Sequence, residues 1–331
     1  MKCVIFAGCI THIGHVYGMM ISFKKFLLIT SAVLLPVCAQ AQDSVVVEPD
    51  NKVEAEKKDK AEKKTDFIRV VEDEKAVRLQ TSVTRYVKDG VNVDLIGAVH
   101  VADKQYFMEL NELFTKSEVL LFELIGGEQI KAGGQLKKGK QENLEFSLLG
   151  AMYEQMQKRL DLTGQKEHID YFKENFVHAD LTIEEFQTLQ KEKKESILSF
   201  ALKNANSTQK AINERKKSGE KVKQASSLQM LRALITGNTD LLKYNLVFNL
   251  GNGDDQIAAF AGESVIIGDR NIKCLDVMNA QIKEGKKNIG IFYGAAHFPD
   301  MEDRMLKEGF KKTNQFWMTA WNIDKKKAGK K

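Results

Sequence analysis

Leu95-Ile96-Gly97-Ala98-Val99-His100-Val101-Ala102-Asp103 and Phe292-Tyr293-Gly294-Ala295-Ala296-His297-Phe298-Pro299-Asp300 are two versions of one pattern. Each begins at the end of an apolar run, passes through Gly-Ala-x-His and reaches an Asp where a helical periodicity starts. The pattern reads as strand, turn, helix. A glycine at the strand end is expected to allow a sharp turn that other residues resist. The histidine then projects above the sheet edge, and Asp103 and Asp300 fall where a helix N-cap belongs. Strand alternating with helix places the chain in the α/β class.

The surroundings agree. Val83–Lys88 and Val91–Ile96 are β-rich and separated by Asp89-Gly90, a hairpin signal. After His100, Tyr106, Phe107, Leu110, Leu113 and Phe114 share a helix face. Val119–Ile125 is short and apolar, as a buried strand is, with Glu123 as its one charge. Around the second copy, Ser264–Ile267 reads as a short strand. Ile272, Leu275, Met278 and Ile282 read as a helix face that Gly285 stops. Asn288–Tyr293 is a buried strand, Met301, Met305 and Phe310 mark a helix, and Gln315–Ile323 is a final strand. Between the copies, from about Gly126 to Thr236, the sequence is rich in Lys, Glu and Gln and mostly helical. Leu149, Met152, Met156 and Leu160 form one face there, and Thr182-Ile183-Glu184-Glu185 spells a capping box. The expectation is a β-sheet core with flanking helices and a large helical insertion.

The ends read differently. Met20 opens a better signal peptide than Met1, with Lys24 and Lys25 as a basic start and Phe26–Val37 as a twelve-residue apolar run, too short to span a bilayer. Ala39-Gln40-Ala41 supplies the small-x-small cleavage pattern. Residues 1–41 are therefore expected to be removed and the protein exported, to a periplasm or the medium. A lipoprotein built on Cys38 fits less well, because Val37 precedes it. Residues 42–66 read as a charged leader without stable structure, 67–324 as the domain, and 325–331 as a loose basic tail. No later run is long enough to cross a membrane. Losing Lys2, Lys24 and Lys25 lowers the net charge of +5 by three to +2, which is no nucleic-acid footprint. Of the cysteines at 3, 9, 38 and 274 only Cys274 lies in the domain, so no internal disulfide is available and core burial must hold the fold.

The chemistry lies in the paired segments. Sites in open α/β sheets form beyond the carboxyl ends of the strands. His100, His297 and Glu123 from the intervening strand can meet there. Two imidazoles and a carboxylate give three ligands to a divalent metal and leave a position for water. A charge inside an apolar strand is costly unless coordinated or paired, and Arg270 is the alternative partner for Glu123. Arg270, within Asp269-Arg270-Asn271, can also bind a substrate carboxylate or a developing oxyanion. His178-Ala179-Asp180 is a further candidate, His168 reads as surface, and Cys274 reads as core.

These features resemble the TraB/GumN/PrgY/TIKI group, related to the erythromycin-esterase and ChaN-like proteins. The resemblance covers about residues 80–323 and is strongest in Gly97–Glu123 and Asp269–Asp303. It implies an internally duplicated α/β fold with the site between the halves. It implies a metal-dependent hydrolase, most simply a peptidase acting on a peptide or protein, with manganese, cobalt or zinc. By position, His100, Glu123 and His297 match the site residues, with Glu123 also able to serve as base, and Arg270 matches the arginine. Asp269 stands where the family commonly has Glu. The alternative implied by the same relatives is a protein that captures a peptide or haem without turnover.

Overall fold

The computed structural model describes residues 65–130, 133–134, 144–219, 226–250 and 264–330. The expected signal peptide, almost all of the leader and parts of the insertion lie outside them. Strands β1 (Ile68–Glu72), β2 (Ala76–Lys88) and β3 (Val91–Ala98) run antiparallel to one another. The β2–β3 hairpin turns at Asp89 (φ 48°) and Gly90 (φ 75°), both left-handed, as a two-residue turn matching strand twist requires. A two-residue strand, β4 (Val101–Ala102), precedes helix α1 (Lys104–Phe114), whose buried face is Tyr106, Phe107, Leu110 and Phe114. Strand β5 (Val119–Phe122) is buried at every position.

The insertion begins with α2 (Leu144–Leu160), β6 (Thr163–Gly164), the single turn α3 (Gln165–His168) and β7 (Phe176–His178). Helices α4 (Ile183–Lys193), α5 (Ile197–Lys217), α6 (Ser227–Thr236) and α7 (Thr239–Leu250) follow. The Thr182–Glu185 capping box is present, with Glu185 N–H bonded to the Thr182 hydroxyl and Thr182 N–H to the Glu185 carboxylate. The insertion is less purely helical than its sequence reads: β7 pairs in parallel with β5 and extends the main sheet.

The second half holds α8 (Arg270–Lys283), β8 (Asn288–Gly294), α9 (Phe298–Lys307) and β9 (Lys311–Asp324). The strand expected over Ser264–Ile267 is instead a π-helical turn, Val265–Asp269, running directly into α8. Its backbone needs no neighbouring strand. The Glu195 carboxylate accepts from the Val265 N–H (2.8 Å) and the Ser264 hydroxyl (2.7 Å), and the Ser264 hydroxyl oxygen accepts from Ile266 N–H (3.0 Å). A short apolar run does not distinguish these outcomes by periodicity. On α8 the buried face is Cys274, Leu275 and Met278, joined by Arg270 and Asn271, while Ile272 is 42% exposed. The basic tail is not loose: Ala328 is buried, Lys325 pairs with Glu72, and the Lys330 ammonium lies 4.7 Å from the Tyr244 ring.

Seven strands form the main sheet, in the order β1-β2-β3-β8-β5-β7, with β9 paired to the other edge of β2. Two cores flank it. One packs α1, α6 and α7 against residues such as Phe122, Phe292 and Trp321. The other packs α8 and α9 against Tyr86, Leu121, Ile291 and Tyr293. Strands β3, β8, β5 and β7 are mutually parallel, so their carboxyl ends meet along one edge.

Candidate functional site

That edge gathers the sequence candidates. His100 follows β3, His297 ends the single 3₁₀ turn after β8, Glu123 follows β5, and Asp180 follows β7. Arg270 enters from the first turn of α8 and binds across them. Its Nη2 donates to Glu123 Oε1 (2.6 Å) and Asp180 Oδ2 (2.6 Å), and its Nε donates to Asp180 Oδ1 (2.9 Å). Its Nη1 has longer bonds, to the Ile266 carbonyl (3.3 Å) and His297 Nε2 (3.4 Å). Every N–H of the guanidinium thus faces an acceptor within the protein. The ion pair expected as an alternative for Glu123 exists, and Asp180 shares it.

The two glycines of the repeat do not serve the turn their sequence suggests. Neither is among the positive-φ residues. A Cβ on Gly97 would meet the Ser82 carbonyl oxygen at 3.1 Å and Thr81 Cβ at 3.3 Å. At Gly294 a Cβ would lie 3.4 Å from Glu123 Oε2, the oxygen that accepts the Gly294 N–H at 2.6 Å. At Gly97 close approach, not turning, selects glycine, while at Gly294 a Cβ would make ordinary contact only. Gly97→Val is expected to cost about 1–3 kcal/mol of stability through overpacking, read as a lower urea midpoint; an unchanged midpoint would show that β2 yields. The aspartates differ from expectation too. Asp103 occupies the N-cap position of α1 without a capping bond and accepts Asn322 N–H at 2.7 Å instead. Asp300 lies inside α9 and accepts from Asn271 Nδ2 (2.8 Å) and Arg304 Nε (2.7 Å).

Asn271 fixes the His297 tautomer. Its amide nitrogen donates to two acceptors, the His297 carbonyl (3.0 Å) and Asp300. Its Oδ1 is therefore the atom 2.6 Å from His297 Nδ1, which must carry the proton. Nε2 is left as a lone pair, 3.7 Å from Glu123 Oε1. Burial is the largest influence on His297 and, with Arg270 acting the same way against Glu123, draws its pKa from 6.5 to about 3. Burial alone would raise the Glu123 carboxyl, but Arg270, His297 and His100 hold it well below the usual carboxylate range. For Arg270 burial opposes the charge, yet Asp180 and Glu123 keep it firmly protonated.

A pH dependence follows. The unfolded His297 takes up a proton near pH 6.5 and the folded one resists until about pH 3, so stability present at neutral pH is lost as pH falls. The contribution amounts to about 2 kcal/mol between pH 7 and pH 5. Urea midpoints should fall less over this range in His297→Gln than in the wild type; equal falls would mean that the imidazole is not buried neutral.

His178 and Asp269 are engaged at the margin. His178 Nε2 lies 2.7 Å from the Leu124 carbonyl, and Asp269 pairs with Lys193 at 2.6 Å. His168 is half-buried, its Nε2 bonded to the Thr163 hydroxyl at 2.8 Å. Cys274 is fully buried behind Arg270, and burial raises its thiol. Sequence reading missed the roles of Asp180, Asn271 and Gln165. Asp180 closes the candidate His178-Ala179-Asp180 and Asn271 adjoins Arg270, so both stood beside recognised signals; Gln165 gave none.

The match to a family model settles the relationship. A model described as the TraB/PrgY/gumN family covers residues 82–313. The chain belongs to this family. The matched span starts within β2 and ends within β9, so it holds both Gly-Ala-x-His segments, Glu123, Asp180 and Arg270. No curated protein matches the chain.

The divalent metal that the sequence resemblance implies would find oxygen and nitrogen donors here, in Glu123 and His297. Among the described residues no three His, Cys, Asp or Glu side chains already form a coordination shell. Glu123 and Asp180 both pair with the one guanidinium of Arg270. His297 Nε2 and Glu123 Oε1 face each other at 3.7 Å, a spacing two ligands about 2.1 Å from one ion adopt. Asn271 behind Nδ1 is the kind of partner that orients a ligating imidazole.

Proposed function

We propose that the chain is an exported metal-dependent hydrolase acting on peptide bonds. One observation carries the reading: His297 Nε2 lies 3.7 Å from Glu123 Oε1 in a buried cluster with Arg270 and Asp180, at the sheet edge where His100 also follows its strand. Family membership supports it, as does the leader, with Lys24, Lys25, the apolar run Phe26–Val37 and Ala39-Gln40-Ala41. No described helix is long and apolar enough to cross a membrane.

His100, His297 and Glu123 would hold the metal. Bound there, manganese, cobalt or zinc would supply Lewis-acid polarisation of a carbonyl and a lowered pKa for water. In the alternative arrangement the two histidines would hold the metal and the Glu123 carboxylate would instead serve as the base toward water. Gly294 N–H and Arg270 Nη2 hold one carboxylate oxygen each, fixing its plane. Arg270 Nη1, whose bonds are the longest of the guanidinium, is the corner that can turn to a substrate oxygen as negative charge develops.

The test is a metal titration of the purified, metal-stripped protein. Wild type should bind one divalent ion per chain, and His100→Ala/His297→Ala should bind about 100-fold more weakly or worse. Equal affinity in the double variant, or no binding by wild type, overturns the reading. A Soret band on adding haem, or tight capture of a peptide recovered intact, would replace hydrolysis with binding.

A further inference from the structure

The two site histidines sit in matching environments although their surroundings come from different parts of the chain. Asn271, the residue after Arg270, faces His297 Nδ1. Gln165, from the single turn α3 of the insertion, faces His100 Nδ1 with its Oε1 at 3.2 Å. The Gln165 amide nitrogen donates to the Tyr171 hydroxyl at 2.7 Å, leaving the oxygen for the imidazole. Gln165 and Tyr171 are more than nine-tenths buried, and the Tyr171 ring packs 5.2 Å from Phe122, the residue before Glu123. The backbone is tied as well. Gln165 N–H donates to the His100 carbonyl (2.9 Å), and β6 pairs with β4, Val101 with Gly164 and Ala102 with Thr163. Tyr153 on α2 closes the other side, its ring 5.3 Å from that of His100.

We infer that the segment Thr163–Tyr171 of the insertion is a positioning clamp for His100, in which Gln165 sets the Nδ1–H tautomer so that the Nε2 lone pair serves the site as His297 Nε2 does. Gln165 is a positioning residue, not one that meets substrate. A lone pair on Nε2 is what a ligating imidazole needs, and the amide oxygen behind Nδ1 both orients the ring and increases its basicity. The insertion is thus part of the site's construction. The consequence for metal rests on the proposed function, while the tautomer itself does not.

Long-range ¹⁵N–¹H correlation spectra of the metal-free protein read the tautomer of each histidine directly. In wild type, His100 and His297 should both carry the proton on Nδ1. Gln165→Leu should release His100 from that form and leave His297 unchanged, and Gln165→Glu, which keeps an acceptor, should restore it. An Nε2–H His100 in wild type, or a His100 pattern indifferent to Gln165→Leu, overturns the inference; should the leucine variant fail to fold, wild type and the glutamate variant still decide it. Titrated with zinc alone, Gln165→Leu should bind about 10–100-fold more weakly than wild type. If the tautomer follows Gln165 but wild type binds no zinc, the clamp stands and the metal reading falls.

Discussion

Replacing Arg270 with Met will destabilise the protein by about 3–5 kcal/mol, the cost of leaving buried charges without their partner. Asp180 is 1% exposed, and the Glu123 side chain is 10% exposed. Both accept from a single guanidinium, which contributes three bonds of 2.6–2.9 Å. Without it, two carboxylates face each other in a medium that solvates neither, and one must take up a proton to remain buried. Arg270→Lys should recover only part of the loss, because a point charge cannot serve Glu123, Asp180 and the Ile266 carbonyl in the geometry of a planar fork. Urea unfolding at pH 7 measures both. A loss below about 1 kcal/mol in Arg270→Met would mean that water reaches the cluster.

If the proposed hydrolase function holds, Glu123→Gln should reverse that pattern, with hydrolysis of a peptide mixture falling by about 10²–10⁴-fold and stability changing little. Two local effects oppose each other. The amide sets a donor against either Arg270 Nη2 or Gly294 N–H, which the carboxylate satisfied together. It also leaves the Arg270 guanidinium to Asp180 alone as its carboxylate partner. Were Glu123 only a counterion for Arg270, stability would drop and metal affinity and turnover would not. Midpoints, metal titration and mass spectrometry of the digest on one preparation separate the two cases.

Much of this fold was legible because its signals are local. Asp89-Gly90 forces a left-handed turn, and the apolar run Val119–Phe122 has no amphipathic use except as a buried strand. The two Gly-Ala-x-His segments pointed to one edge, and β3 and β8 are indeed parallel neighbours, with Gly97 opposite Tyr293 and Ala98 opposite Gly294. Failures came where distant residues decide. Ser264–Ile267 is helical because Glu195, some seventy positions away, accepts its amides. Gly97 is small because of a carbonyl on the preceding strand, and Asp300 is turned from capping by Asn271 and Arg304. Asp180, Asn271 and Gln165 are ordinary in sequence and acquire their roles only when β7, α8 and the insertion close over the edge.

The order of the strands has a consequence for when the site comes into being. Strand β8 lies between β3 and β5, pairing Asn92 with Asn288 on one side and Val119 with Ile289 on the other. A growing chain that has emerged as far as Lys287 already possesses His100, Glu123, Asp180 and Arg270. The slot between its two older strands is still open, and no Gly294 N–H yet holds the carboxylate. Closing that gap joins residues far apart in sequence, a late and slow event in folding. The contact that holds the Glu123 carboxylate to Gly294 thus joins residues 171 positions apart and waits for nearly all of the polypeptide.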